Sequence, residues 1–300
     1  MTIATPSRPR VSSTPRAGMG ALALIEARRM LRHPAPWLGL ALSVWFGWDV
    51  YAHETTWAAE HYEGLATAVA PLLLGVSLAS VSSFAREGTP VAEDAPLDAG
   101  QRALARLLGG LALVAVVALF VLGAAVWLRV VGGLELGQEP GRTEHAYYTV
   151  PELLEPVLLA AFAVALGAAV VHVVRHRLVA GILLAVYWFL LGTYWLFSVG
   201  PLPWLTPLQI QPSNVEVGPA STDPTTFPSD WLLSVPGEFQ GEWVRLVVSP
   251  ALAGWHDVYV VALTMLAVAV AVPGRWRRPL AVAGLLLAMG AVVMQAVVAP

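Results

Sequence analysis

Along the chain, apolar residues are gathered into blocks over residues 37–51, 65–84, 103–127, 153–174, 178–197, 256–272 and 280–298, with polar stretches rich in Pro, Gly and charge between them. About 20 residues rising 1.5 Å each are needed to cross the hydrocarbon of a bilayer. The pattern therefore predicts an all-α fold, a polytopic bundle of six or seven spanning helices occupying residues 35–300. Trp37, Trp45 and Trp48 near the ends of the first block suit the two membrane interfaces. Asp98 followed three residues later by Gln101 has the form of a capping box and opens the third span. The short turn Arg175-His176-Arg177 makes the fourth and fifth spans an antiparallel hairpin. Residues 200–255 are too polar to span and form a long outer segment, with short interfacial helices expected at 231–235 and 243–248.

The first 20 residues, rich in Pro, Ser, Thr and Arg, read as a disordered cytoplasmic tail without the apolar core of a signal peptide. Residues 21–34 then form a short two-faced helix. Ala23, Leu24, Ala27, Met30 and Leu31 lie on one side, with Glu26, Arg28, Arg29, Arg32 and His33 opposite. Such a basic helix lies on the membrane surface with its arginines at the headgroups. Pro34 and Pro36 end it and turn the chain into the bilayer.

Composition agrees with this reading, since 57% of the 300 residues are apolar, 12% are charged and mean hydropathy is +0.67. The absence of cysteine excludes disulfides and thiolate sites. All 17 basic residues are arginine, so no phosphate-binding loop ending in Gly-Lys-Ser/Thr exists in this chain. With the N-terminus inside, 14 arginines fall on cytoplasmic segments, and only Arg129, Arg142 and Arg245 fall outside. That bias fixes a cytoplasmic N-terminus in a multi-pass plasma-membrane protein. A seventh helix places Pro300 outside.

Little in the sequence suggests catalysis. His53-Glu54 begins like a zinc motif, but Trp57 occupies the position of the second histidine, and neither a metal nor a catalytic group is expected. The remaining dense candidates for a membrane-embedded enzyme are His53, Glu54, Glu60, His61, Glu63, Glu144 and His145, all in outer loops. The middles of the spans are nearly free of ionisable groups, with Asp49, Arg106, Arg129, His172 and Asp257 near span ends. Deeper polar residues are Ser43, Ser77, Ser80, Tyr187, Trp188, Tyr194 and Thr264, which are either helix-packing contacts or the lining of an amphipathic path. Gly109-Gly110, Gly167 and Gly192 are candidate points of close helix approach. In the polar loop 86–102, Thr89 and Pro90 supply an N-cap and first-turn residue, so 91–95 forms either a stub helix with Glu93 and Asp94 exposed or a solvated loop.

The stretch ALALIEARRMLRHPAPWLGLAL, the loop REGTPVAEDAPLDAGQRALARLL and the segment WHDVYVVALTMLAVAVAV resemble the membrane subunits of type-2 ABC exporters, especially actinobacterial ones. The resemblance implies that 21–34 is that family's elbow helix. It also implies that Thr89, Pro90, Val91, Glu93, Asp94 and Leu97 belong to the coupling helix that docks on a separate cytoplasmic ATPase. Such a permease holds no cofactor of its own, and ATP and Mg act in the partner. It pairs with a second copy or a paralogue, and the expected cargo is hydrophobic or amphipathic. Nucleic acid is not an expected partner. A non-transporting sensor or anchor subunit is the alternative, and a membrane-embedded enzyme a more distant one. The apparent seventh span and the long outer segment depart from the family's usual six-span pattern.

Overall fold

The computed structural model describes residues 15–52, 61–62, 64–88, 97–136, 145–193, 205–208, 213–216, 227–235, 237–239 and 242–299. They are mostly helical. The helices are α1 (Pro15–Leu31), α2 (Pro34–Ala52), α3 (Gly64–Phe84), α4 (Ala99–Val131), α5 (Val150–Val174), α6 (Arg177–Thr193), α7 (Pro250–Ala271) and α8 (Arg277–Val298). Four of them, α4, α5, α7 and α8, are long and apolar enough to cross a membrane. Large side chains such as Leu111, Leu119 and Leu122 on α4, Ile182 and Phe189 on α6, and Leu285 and Leu286 on α8 are exposed. Apolar faces of this extent are foreign to a water-soluble monomer and belong in lipid. The protein is membrane-embedded.

Local chemistry sets the helix ends. The Asp98 carboxylate accepts from the Gln101 N–H at 2.8 Å while Gln101 Oε1 accepts from the Asp98 N–H at 3.2 Å, the reciprocal capping box expected at the head of the third span. That box starts α4 four residues before position 103, and Gly132, with φ of 94°, ends it in a left-handed cap. Ser249, whose Oγ accepts from the Leu252 N–H, and Pro250 likewise start α7 ahead of position 256. Arg175, with φ of 57°, makes the tight turn between α5 and α6. Helix α1 already begins at Pro15, inside the stretch expected to be a tail.

Helix packing uses small residues. Gly39, Ser43 and Gly47 recur every fourth position on α2 and meet α3. A Cβ on Gly39 would fall 2.5 Å from the Pro71 carbonyl oxygen, and one on Gly75 would collide with the Ala35 carbonyl. The two backbones therefore touch. Pro71 interrupts the regular ladder of α3, and the Leu72 N–H donates to Ser43 Oγ at 3.2 Å. Helix α5 crosses α3 just as closely, because a Cβ on Gly167 would lie 2.5 Å from the Ser77 carbonyl. Gly109 and Gly110 let α1 approach α4 on one side and Val164 of α5 on the other. The core thus centres on α3 and α5, with Leu72, Val76, Leu113, Leu159 and Trp188 enclosed between them and their neighbours.

The connections alternate between two ends of the bundle. One end carries the connections at 32–33, 85–88, 97–98, 175–176 and 272–276, and with them most of the described arginines. The other carries two short strands, β1 (Leu134–Glu135) and β2 (His145–Ala146), and a sheet in which β6 (Glu242–Val248) pairs with β3 (Ser213–Glu216), β4 (Leu232–Leu233) and β5 (Gly237–Phe239), all antiparallel. The short helices expected at 231–235 and 243–248 are therefore strands. The run Trp243, Val244, Leu246, Val247, Val248 is rich in aromatic and β-branched side chains, which favour extended pairing once a partner strand lies alongside. Val235 N–H donates to the Leu136 carbonyl at 2.8 Å and ties this sheet to the β1 region.

Candidate coupling site

At the arginine-bearing end, α1 is fastened into the bundle by a carboxylate. Glu26 is 1% exposed, and the Ser83 hydroxyl donates to its Oε2 at 2.9 Å. Arg29 Nη1 donates to Oε1 at 2.8 Å, and Arg86 lies 3.6 Å from Oε2. The expected polar face of α1 is corrected here. Arg28, Arg29 and Arg32 are exposed, but Glu26 turns inward with Ala27 and Met30, while Leu24 and Ile25 face outward. Gly109 is the physical reason, since its missing side chain lets the α1 backbone at Ala23 and Ala27 sit against α4, which brings Glu26 over Ser83. Arg106, also buried, stacks 5.9 Å from the centre of the Phe84 ring.

These contacts frame the loop that follows α3. Ser82, Ser83 and Arg86, the latter in a short 3-10 turn (Ala85–Gly88), lie at its start. Its far border is Leu97, which is buried against Gly18 of α1 and whose carbonyl accepts from Arg102 Nη1. Gly100 packs on the Pro273 carbonyl of the α7–α8 turn. Thr89, Pro90, Val91, Glu93 and Asp94 lie outside the described residues. Both borders of their loop are thus pinned to α1, and one also to α7–α8.

His33 closes the same end. Its Nδ1 accepts from the Ala35 N–H at 3.2 Å, capping the start of α2, so Nε2 carries the hydrogen and faces Ser82 Oγ at 3.0 Å. Burial, followed by the charges of Arg177 and Arg86, holds this imidazole below its ordinary pKa, in its neutral form.

Of the deeper polar residues, Ser43, Ser77, Ser80 and Trp188 are buried between helices. Ser77 Oγ–H donates to the Ala163 carbonyl at 3.2 Å and Ser80 Oγ–H to the Val164 carbonyl at 2.6 Å. Trp188 Nε1–H donates to Ser77 Oγ at 2.9 Å. Tyr187 instead lines an apolar crevice of about 340 Å³ with Leu166, Val170, Leu183 and Val270. Tyr194 lies outside the described residues, as do His53, Glu54, Glu60, Glu63 and Glu144. Among the described residues no group of three His, Asp or Glu side chains is arranged to hold a metal.

Sequence reasoning missed the buried acids at the opposite end. Glu152 and Glu155 face inward from α5, and His256 from α7 meets Gln295 of α8. Glu152 Oε2 accepts from the Tyr62 hydroxyl at 3.0 Å and from the Thr149 N–H and hydroxyl at 2.7 and 2.6 Å. The hydroxyls of Tyr51 and Tyr148 are 2.9 Å apart, and Tyr148 also donates to the Tyr62 carbonyl. Burial above all, reinforced at Tyr62 by the Glu152 charge and at Tyr148 by Tyr51, raises the pKa of both phenols well above the ordinary value. The available signal was Glu155 itself, an acid inside an apolar block three residues after another. No protein-family model, curated protein or solved structure matches the chain.

Proposed function

We propose that this chain is the permease subunit of an ATP-driven exporter of the type-2 ABC class, seated in the plasma membrane with its N-terminus and the 86–102 loop in the cytoplasm. Six or seven of its helices span, α1 is the elbow helix, and two such chains, identical or paralogous, form the path. A separate cytoplasmic ATPase binds ATP and Mg and supplies the hydrolysis. The carrying observation is the Glu26 junction. A force delivered to residues 89–96 meets a loop whose borders are fixed to α1, to the end of α3 and to the start of α4, so it moves helices rather than slack chain. The direction of the arginine bias and the missing phosphate-binding loop support the same division of labour. The apolar crevice beside Tyr187 fits a hydrophobic or amphipathic cargo.

Co-expression with ATPase candidates and affinity purification tests this reading. The expected result is co-purification of a nucleotide-binding subunit whose ATP hydrolysis falls when Glu93 and Asp94 are both changed to Arg. Failure to retain any such subunit, or hydrolysis indifferent to the charge reversal, sinks it. Because the chain has no cysteine, a single D94C thiol also reports sidedness, and labelling by an impermeant reagent in intact cells would contradict the proposed orientation. The β3–β6 sheet at the opposite end favours a second reading, a sensor or anchor that binds a partner there without transport. Flux in proteoliposomes separates the two.

A further inference from the structure

The apolar crevice beside Tyr187 is a gap between α6 and α7 with α5 as its floor. Leu166, Val170 and Val173 come from α5, Leu183 and Tyr187 from α6 and Val270 from α7, and apart from the Tyr187 hydroxyl every described side chain lining it is apolar. Val173 and Leu183 are exposed, so the gap opens on the lipid-facing surface. It follows α5 for about 10 Å, at 1.5 Å per residue, and ends two residues before Arg175. A void of about 340 Å³ on such a surface does not stay empty, because its walls would forfeit their dispersion contacts. The α5–α6 turn joins the floor to one wall, and the α7–α8 turn follows the other. On these turns Arg175, Arg177, Arg275, Arg277 and Arg278 are exposed, and neither 172–180 nor 272–280 contains Asp or Glu. Asp98, brought near Pro273 through Gly100, is held in the capping box of α4. Arg177 begins α6, and Arg277 and Arg278 begin α8, with no acid in either first turn. A helix N-terminus is itself partly positive, so these arginines add to its charge where a carboxylate would offset it.

We propose that this crevice binds one acyl chain of an anionic phospholipid from the surrounding bilayer, with the lipid's phosphate on Arg175, Arg277 and Arg278 at its mouth. Lipid tails are as apolar as leucine, so the crevice alone does not choose between lipids. The choice comes from charge. Each arginine near the surface favours an anionic lipid by about fivefold, and a zwitterionic lipid offers the same chain without that gain. The cytoplasmic leaflet is where anionic lipids concentrate, and the arginine bias sets this end of the bundle there. The occupant comes from the membrane itself, so the inference goes beyond the transport reading and needs no flux.

Photolabelling of the full-length protein in phosphatidylcholine nanodiscs tests the site. The probe is phosphatidylglycerol with a diazirine in its acyl chain, and phosphatidylcholine with the same chain is the control. Peptide mass spectrometry then locates the adducts. Phosphatidylglycerol is expected to label Leu166, Val170, Val173 and Leu183 about tenfold more than phosphatidylcholine does, while the exposed faces of α4 and α8 take both lipids equally. The triple variant R175N/R277Q/R278Q changes only exposed positions, and asparagine suits the left-handed turn at 175. It should bring crevice labelling by phosphatidylglycerol down to the phosphatidylcholine level. L183W, which fills the gap from its exposed wall, should lower crevice labelling by either lipid, and if it does not fold the arginine variant decides. Equal labelling of the crevice by the two lipids in wild type, or a preference unchanged in the triple variant, overturns the proposal. So does a crevice labelled by neither lipid, with α6 cross-linked to a second copy, which would make it a protein interface. Neither flux nor ATP hydrolysis is read, so failure here leaves the transport reading standing, and the converse holds.

Discussion

The carboxylate of Glu26 on the first helix accepts a hydrogen bond from the hydroxyl of Ser83, at 2.9 Å, on the last turn of the third. Removing that carboxylate strands Ser83 and leaves two arginines beside an empty buried position. E26A is expected to destabilise the protein by about 1–3 kcal/mol, because it leaves the buried Ser83 hydroxyl without its acceptor while the two half-exposed arginines turn to solvent. E26Q, which keeps the shape and one acceptor, should lose less. Combined with S83A, the loss should fall short of additivity by about 0.5–3 kcal/mol, as expected for residues in contact. Thermal unfolding of the detergent-purified variants is the measurement, and additive losses would show that the two side chains act separately.

Glycines in this bundle divide by what a side chain would meet. At Gly39 and Gly167 a methyl would press on the backbone of α3, whereas at Gly123 and Gly290 nothing lies within 4 Å. G39A and G167A are therefore expected to cost about 1–3 kcal/mol through overpacking. G123A and G290A should be neutral or stabilising by up to about 1 kcal/mol, from helix propensity alone. Unfolding midpoints of the four variants, compared under one condition, give the ordering directly. A loss at Gly123 equal to that at Gly39 would contradict the close approach of α2 and α3.

The same contrast shows what the sequence can and cannot reveal. Features set by neighbours along the chain were legible, as with the Asp98–Gln101 box, the proline break after Leu31 and the Arg175 turn. The rotation of α1 was not, because Glu26 turns inward only once Gly109, far along the chain, admits the helix. Periodicity put Leu24 on one face with Met30, yet Leu24 is 66% exposed while Met30 is buried, since in a membrane protein apolar side chains do not distinguish core from lipid. The junction at His256 was hidden for a similar reason. Its partners come from positions 155, 207 and 295, and no local pattern joins them. The strands in the outer segment depend on pairing with β6 and not on their own short runs.

A proline inside a spanning helix is tolerated when the disturbed backbone finds another partner, and here Ser43 accepts from the Leu72 N–H next to Pro71. S43A removes that acceptor from a buried site, with an expected loss of about 1–3 kcal/mol. Adding P71A should recover part of it, because alanine restores the N–H that can bond from residue 71 to the carbonyl of residue 67 and removes the ring's clash there. The double variant is thus expected to unfold at a higher temperature than S43A. If P71A gives no recovery, the serine serves packing and not the proline.

His33 carries the pH dependence at the arginine-bearing end. In the folded protein its Nδ1 must remain bare to accept from the Ala35 N–H, and burial with Arg177 and Arg86 holds its pKa below the ordinary 6.5. As pH falls below that value, the unfolded chain takes up a proton that the folded protein still refuses. Stability is therefore present above the ordinary value and is lost progressively as pH falls toward the lowered one. H33N places another good cap at the same position, one that does not titrate. It is expected to keep the neutral-pH stability and to flatten the acid decline, measured as unfolding midpoint against pH. A decline of unchanged size in H33N would assign the acid sensitivity to another group and leave His33 as a cap alone.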